Sequence, residues 1–325
     1  MSPPPTPPAD LAAVLIGRNE GARLVAALAA VQGRVGRIVY VDSGSTDGSL
    51  EAARAAGAEV VELDRGRPFT AARARNAGLA RLRGAGAPPR FVQFIDGDCE
   101  LRPGWLPLAL AFLEDHPQAA VACGRRRERF PEASVWNRLC DAEWNTPVGR
   151  ARSCGGDALM RMAALDQVGG YNPALIAGEE PEMCVRLRAR GWEIWRLDAE
   201  MTLHDAAMTR FSQWWKRMRR GGHAAAEGMA LHGRPPERHG VATVRRALAW
   251  GAGLPLVALA GALTLSPWAL LLLLAYPAQV LRLARRFGPE QALFLTLGKL
   301  PEALGVLEYA ARRLARRPAG LIEYK

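Results

Sequence analysis

The chain has 325 residues, 49% of them hydrophobic and 23% charged, which excludes a disordered polymer and leaves room for one large domain with an appendage. A formal net charge of +11 points to an anionic partner: nucleic acid, anionic lipid or a phosphorylated substrate. The five cysteines, Cys99, Cys123, Cys140, Cys154 and Cys184, are scattered without C-x-x-C spacing, which argues against a disulfide framework or a cysteine-cluster zinc site and fits a reducing compartment.

Residues 1–10 are proline-rich and lack the basic and apolar regions of a signal peptide, so they read as a disordered tail. From residue 11 to about 124, continuous apolar runs alternate with alanine-rich segments. The runs at 11–17, 37–42, 58–63, 91–96 and 119–124 look like strands buried on both faces of a mostly parallel sheet. The segments at 48–56, 70–83 and 103–116 are predicted helices. Thr70 is placed to cap the second, Pro103 suits the first turn of the third, and Thr46 or Asp47 can cap the first. Strand–helix alternation of this kind predicts a doubly wound α/β domain, whose ligands bind outside the carboxyl ends of the strands. Asp42 and Asp96 fall at two such ends.

Residues 125–204 are less regular, with a helix predicted at 180–190 and a strand at 192–197. A basic, aromatic stretch at 211–220 leads into a polar segment, 221–240, read as a linker. Residues 247–265 carry no charge over about the length that spans a hydrocarbon layer. Residues 268–281 form a second uncharged run, shorter and interrupted by Pro277. Arg245 and Arg246 precede the pair and Arg282, Arg285 and Arg286 follow it, which puts both ends of a helical hairpin on the cytoplasmic side. A buried helical pair in a soluble protein is the competing reading. Leu293, Leu297, Leu300, Leu304 and Leu307 recur at helical spacing over 290–317, predicting an amphipathic helix on a membrane surface or against the protein. The predicted organisation is a tail at 1–10, a catalytic domain at 11–240, a transmembrane hairpin at 241–288 and a basic amphipathic helix and tail at 289–325.

Three carboxylate clusters carry chemistry. Asp96-Gly97-Asp98 follows a buried strand, where two carboxylates can share a hard divalent cation and Gly97 permits close backbone approach. Asp42 opens the loop Asp42-Ser43-Gly44-Ser45-Thr46-Asp47-Gly48, where a carboxylate can accept hydrogen bonds from a base or ribose; an ordinary capped turn is the alternative. Glu179, Glu180 and Glu182 stand at a predicted helix start, which favours acidic residues in any protein, yet a carboxylate there can serve as a general base.

The series V-L-I-G-R-N-E (14–20), V-D-S-G-S-T-D-G-S (41–49), A-R-A-R-N-A-G (72–78), F-I-D-G-D (94–98), G-G-Y-N-P (169–173), G-E-E-P-E (178–182) and R-L-R-A-R-G-W (186–192) resembles the family 2 glycosyltransferases with the GT-A fold. The resemblance runs from about residue 11 to 205. It implies an inverting transferase that moves a sugar from a nucleotide-sugar donor, UDP-linked in most of the family, to a hydroxyl, with Mg²⁺ or Mn²⁺ as cofactor. It assigns Asn19, Glu20, Asp42, Ser45, Arg75, Asn76, Asp96 and Gly97 to the nucleotide sugar, and Asp98, Asp96 and His204 to the metal. Glu180, with Glu179 beside it, takes the place of the base. The family has Glu-Asp where this chain has Glu-Glu, which leaves open which carboxylate reaches the acceptor. Gly156, Asp157 and Arg217 are weaker candidates for the diphosphate or the acceptor.

The hairpin implies a lipid-linked or membrane-proximal acceptor and a catalytic domain on the cytoplasmic face of the inner membrane, in envelope glycan or glycolipid synthesis. No nucleic-acid partner is expected, because the basic residues gather around the apolar hairpin. A catalytically silent, membrane-anchored nucleotide-sugar-binding module is the alternative. A nucleotide-dependent oxidoreductase fits poorly, since Gly17-Arg18-Asn19-Glu20-Gly21 does not supply G-x-G-x-x-G.

Overall fold

The computed structural model describes residues 8–84 and 86–316, so most of the predicted N-terminal tail and the end of the basic C-terminal tail lie outside the described residues. The chain forms two compact units, one ending at Ala207 and the other beginning at Met208.

The first unit is built on a mixed sheet. Its strands in chain order are β1 (Leu11–Gly17), β2 (Arg37–Asp42), β3 (Glu59–Glu62), β4 (Phe91–Asp96), β5 (Cys99–Leu101), β6 (Ala119–Glu128), β7 (Gly149–Ala151), β8 (Ala158–Arg161) and β9 (Glu193–His204). They lie in the order β3-β2-β1-β4-β8-β6-β9-β5, with β7 also paired to β9. The half from β3 to β4 is parallel, as the continuous apolar runs predict. Beyond β4 the sheet turns mixed: β8 is antiparallel to β4 and β6, β9 is parallel to β6, and β5 and β7 are antiparallel to β9.

Helices α1 (Ala22–Val31), α2 (Ser49–Ala55), α3 (Ala71–Gly84), α4 (Trp105–Asp115), α5 (Val135–Glu143), α6 (Met162–Val168) and α7 (Glu179–Ala189) complete the unit. Leu24, Leu28, Val31, Leu79, Leu82 and Leu113 bury one stripe each from α1, α3 and α4 in the same core as the strands. Gly78 lets α3 lie directly on Val14 of β1, where a Cβ would overlap the valine. Gln93 is a polar residue placed inside the core, and it is satisfied. Its amide nitrogen donates to the Phe94 carbonyl and its oxygen accepts from Trp105 Nε1, both at 2.8 Å.

Helix starts follow local chemistry. The Thr70 hydroxyl accepts from the Arg73 amide at 3.2 Å, the predicted cap of α3. Pro103 lies just outside α4 instead of in its first turn. Gly104 has φ 85°, and the Trp105 amide bonds the Arg102 carbonyl, so Pro103-Gly104 form the corner of a turn that suits proline followed by a left-handed glycine. Asp47 accepts from the Ser49 amide at 3.2 Å at the start of α2, whereas the Thr46 amide bonds Asn19.

The parallel register fixes the functional edge. Gly17 pairs with Asp42, and Ile16 pairs with Asp96, so both acids emerge beside the end of β1. Ala158 of β8 pairs with Phe94, which brings Gly156 and Asp157 to the same edge.

The second unit is helical. Its first helix, α8 (Phe211–His232), runs through residues predicted as a linker. Gly222 has a place inside it because α13 (Lys299–Leu314) crosses there so closely that a Cβ on Gly222 would strike the Glu302 carbonyl. Gly305 answers from α13, against the Arg219 carbonyl. Replacing Gly305 by Val should destabilise this crossing by about 1–3 kcal/mol, the usual cost of overpacking, read as a lowered thermal transition of the detergent-purified chain.

Between them, α9 (Val241–Leu248), a π-helical turn (Ala249–Gly253) and α10 (Leu254–Thr264) form one continuous helix. The wider turn falls where Pro255 cannot return a bond to the Gly251 carbonyl. A 3₁₀ stretch (Pro267–Leu274) leads into α11 (Ala275–Phe287), with Pro277 in the first turn of that helix. Val241–Thr264 and Pro267–Phe287 are both long and apolar enough to cross a membrane, and their apolar windows are 11% and 0% buried. The single amphipathic helix predicted over 290–317 is two helices, α12 (Pro289–Leu297) and α13, separated at Gly298. Pro301 lacks the amide that would bond the Leu297 carbonyl, so the first helix stops there.

Candidate active site

At the end of β2, Asp42 is buried and accepts four hydrogen bonds. Tyr40 Oη (3.0 Å) and Ser45 Oγ (2.5 Å) donate to Oδ1, and the amides of Gly44 and Ser45 donate to Oδ2 at 2.8 Å each. Two carboxylate oxygens offer about four lone-pair sites, so in this arrangement Asp42 is fully engaged in shaping its own loop. Burial, with the Asp42 carboxylate adding to it, pushes the Tyr40 hydroxyl well above the ordinary tyrosine value, keeping it a donor. Asn19, in a left-handed conformation at φ 55°, staples this loop to the end of β1. Its amide donates to Ser45 Oγ at 2.9 Å, and its side-chain oxygen accepts from the Thr46 amide at 2.8 Å. Glu20 pairs with Arg23 at 2.8 Å, and its Cγ stands 3.0 Å from where a Cβ on Gly17 or Gly97 would lie.

The centre of the edge is Arg75, delivered by α3 and 2% exposed. Its guanidinium reaches Asp96 Oδ1 at 2.8 Å, Glu179 Oε1 at 3.1 Å and Glu180 Oε1 at 2.6 Å, with the Tyr171 ring centroid 5.5 Å from Cζ. Burial disfavours its charge, but Glu180 and Asp96 outweigh that and raise its pKa well above the ordinary value. Gly156 is required beside it: a Cβ there would fall 2.6 Å from both Arg75 Nη2 and Asp96 Oδ2. Asn76, the neighbouring residue of the same motif, is turned elsewhere. It braces the backbone of Tyr171, accepting from its amide at 2.9 Å and donating to its carbonyl at 2.7 Å.

Glu179 and Glu180 open α7 after Gly178, whose φ of 78° makes the reversal into the helix. The Glu180 side chain is 13% exposed and that of Glu179 is 7% exposed. Burial pushes Glu180 up to about 7; Arg75 pulls it down, and Glu179 and Asp96 push it further up. One turn along the helix, the buried Cys184 thiol faces Cys154 at 3.7 Å.

Asp157 is wholly buried and binds the site together. It accepts from the Asp96 amide (2.9 Å) and Thr202 Oγ1 (2.8 Å), and it pairs with Arg126 Nη2 at 2.9 Å. Arg126 Nη2 also reaches Asp96 Oδ2 at 3.4 Å. Arg126 lies over Trp144, whose ring meets His204 edge-on with centroids 4.7 Å apart. None of Arg126, Trp144 and Thr202 was singled out from the sequence.

The structure brings Asp98 and His204 together, with His204 Nε2 at 3.4 Å from Asp98 Oδ2. Both are buried, and the ligand atoms of Asp98, Cys99 and His204 lie within 4.8 Å of one another. His204 Nδ1 is buried without a hydrogen-bond partner, 3.6 Å from Glu128 Oε2. Carboxylate and imidazole donors around an unsatisfied histidine suit a divalent transition cation such as Mn²⁺. Asp96, by contrast, is held by Arg75 and Arg126. Arg217 belongs to α8 of the second unit.

The model of the family described as Glycosyl transferase family 2 matches residues 13–163. This segment is a family 2 glycosyltransferase domain. The match contains Asp42, Arg75, Asp96, Asp98 and Asp157 but ends before Glu179, Glu180 and His204. No curated protein matches the chain. Among solved structures, a mannosyltransferase from Pyrobaculum calidifontis in complex with GDP-mannose and Mn²⁺ superposes with a TM-score of 0.65 at 19% identity, over 94% of this chain and 89% of that one. Glucosyl-3-phosphoglycerate synthase from Mycobacterium tuberculosis, solved with phosphoglyceric acid, gives a TM-score of 0.50 at 20% identity, over 70% and 81%. At those identities the likeness is one of fold, and the fold is that of the GT-A glycosyltransferases.

Proposed function

We propose that this glycosyltransferase is an inverting, metal-dependent enzyme that moves a sugar from a nucleoside diphosphate to a hydroxyl of a lipid-linked or membrane-proximal acceptor. The observation that carries this reading is the reach of Arg75. One guanidinium joins Asp96 at the end of β4 to Glu179 and Glu180 at the start of α7, so an acid of the donor side and a carboxylate with a raised pKa meet at a single cation.

In this reading Glu180 accepts the proton of the acceptor hydroxyl as that oxygen attacks the anomeric carbon opposite the diphosphate. Its greater exposure favours it over Glu179. Its pKa near neutrality suits a base that must be ionised yet basic at working pH. Asp98 and His204 are the residues that would hold Mg²⁺ or Mn²⁺. When bound, a divalent cation supplies charge neutralisation at the departing diphosphate. Asn19, Ser45 and Asp42 position the loop against which the nucleoside packs, Asp42 acting through Gly44 and Ser45 because its oxygens are already engaged. Gly97 and Gly156 leave the space the donor needs, and Asp157 holds Arg126 against Asp96.

The spans Val241–Thr264 and Pro267–Phe287, with arginines at the outer ends only, support a hairpin anchored in the inner membrane and a catalytic domain in the cytoplasm. A domain so anchored meets acceptors at the membrane surface, which favours a glycolipid or lipid-linked glycan.

The test is release of nucleoside diphosphate from a panel of UDP- and GDP-sugars by the full chain in detergent, with lipid phosphate acceptors, and with and without Mg²⁺ or Mn²⁺. Metal-dependent release that is abolished in Asp98→Asn is expected. Donor binding without turnover under every condition, unchanged by Asp98→Asn, would instead describe a silent binding module.

A further inference from the structure

We propose that the Cys99 thiolate is a ligand of the cation held at Asp98 and His204, giving an oxygen–nitrogen–sulfur set that selects a thiophilic transition metal ion over Mg²⁺. The proposal rests on the reading of Asp98 and His204 as cation ligands and names the class of cation they take. Cys99 and His204 are direct partners in the antiparallel ladder of β5 and β9, so their side chains leave the same face of the sheet. Such cross-strand neighbours have Cβ atoms only about 4.5–5.5 Å apart. Cys99 Sγ is 3.6 Å from Asp98 Oδ1, and His204 Nε2 is 3.4 Å from Asp98 Oδ2. A tetrahedral ion with ligand bonds of about 2.0–2.3 Å separates its ligands by roughly 3.3–3.8 Å; the two pairs use different oxygens of Asp98, and with one atom from each residue the three ligand atoms lie within 4.8 Å of one another, so a small closure brings them onto one ion.

All three residues are buried, Cys99 at 1%, Asp98 at 6% and His204 at 7% exposure. The same sulfur is also within reach of Asp96 and Asp157, but Arg126 already serves those two carboxylates. The cation therefore falls on the Asp98–His204 side. With Nε2 bound, the unsatisfied Nδ1–H of His204 faces Glu128, the orientation by which a carboxylate fixes a ligating imidazole. Binding breaks the S–H bond, forms a metal–sulfur bond and releases one proton to solvent. Mg²⁺ demands an octahedron of oxygens and keeps its waters, which a buried thiolate and imidazole do not supply.

Co²⁺ titration of the full chain in detergent, followed by absorption, tests this directly. Thiolate coordination gives a near-ultraviolet charge-transfer band in addition to the visible bands of bound Co²⁺. The wild type should show both, Cys99→Ser should keep the visible bands and lose the charge-transfer band, and Cys184→Ser should keep both. Visible bands without charge transfer in the wild type overturn the proposal while leaving the cation site intact. A charge-transfer band that survives Cys99→Ser and disappears in Cys184→Ser overturns it too, by assigning the thiolate to the Cys154–Cys184 pair. Absence of any Co²⁺ binding removes the cation reading beneath it and the proposal with it.

Discussion

Replacing Glu180 with Gln will lower turnover by roughly 10²–10⁴-fold, the contribution of a well-placed general base, with donor binding little changed. The amide keeps the shape and the contact with Arg75 but cannot take up a proton. The pH dependence makes the assignment specific. Burial holds Glu180 at about 7 in spite of Arg75, and the base acts only when ionised. In wild type, kcat/KM should therefore fall about tenfold per pH unit below that value and level off above it. In Glu180→Gln the residual rate should lose that acidic limb. Steady-state release of nucleoside diphosphate across the pH range measures both. Glu179→Gln is the control: Glu179 also touches Arg75 but is the less exposed of the two. A large loss and a missing acidic limb in Glu179→Gln, with Glu180→Gln near wild type, would exchange their roles.

The parallel half of the sheet is legible because β1, β2 and β4 are mostly apolar runs closed by glycine or aspartate. β1, β2 and β4 begin and end where those runs do. The other half is not legible in that way. β5 and β7 are three residues each, and the end of β9 alternates Asp198, Glu200, Thr202 and His204 with apolar residues. In the site, Asp96, Asp98 and Glu180 stand in ordered motifs and can be found by them. Arg126 is hidden in a run of three arginines that reads as a basic surface. Alternation along β6 separates them: Arg125 and Arg127 turn to Asp141 at 2.8 and 3.3 Å, while Arg126 turns to Asp157 and Asp96. The period of two was a signal available in the sequence once residues 125–127 were read as strand. The nearness of Cys99 to His204 had no such signal, since it depends on an antiparallel pairing between segments about a hundred residues apart. Nor does sequence show that Asp42 spends its lone pairs on its own loop.

Replacing Arg75 with Met should have the largest effect on stability. The side chain is 2% exposed and is the shared counterion of Asp96, Glu179 and Glu180. Removing one partner of a buried ion pair costs about 3–5 kcal/mol, because the other is left charged and unpaired, and here three carboxylates are left together. Arg75→Lys should recover only part of the loss, since a single ammonium cannot reproduce a planar fork that meets three acceptors. The deficit will also depend on pH. Glu180 stands at about 7 with the guanidinium beside it, and loss of that cation raises it further. A carboxyl whose folded pKa exceeds its unfolded one binds its proton more tightly in the native state. Its contribution to stability is therefore present at low pH and lost as pH rises through the folded value. Thermal unfolding of wild type and Arg75→Met, compared at about pH 5 and about pH 8, should show the wider gap at the higher pH. An equal gap at both would mean that the three carboxylates are not held together as charges, and that the role of Arg75 is packing against Tyr171.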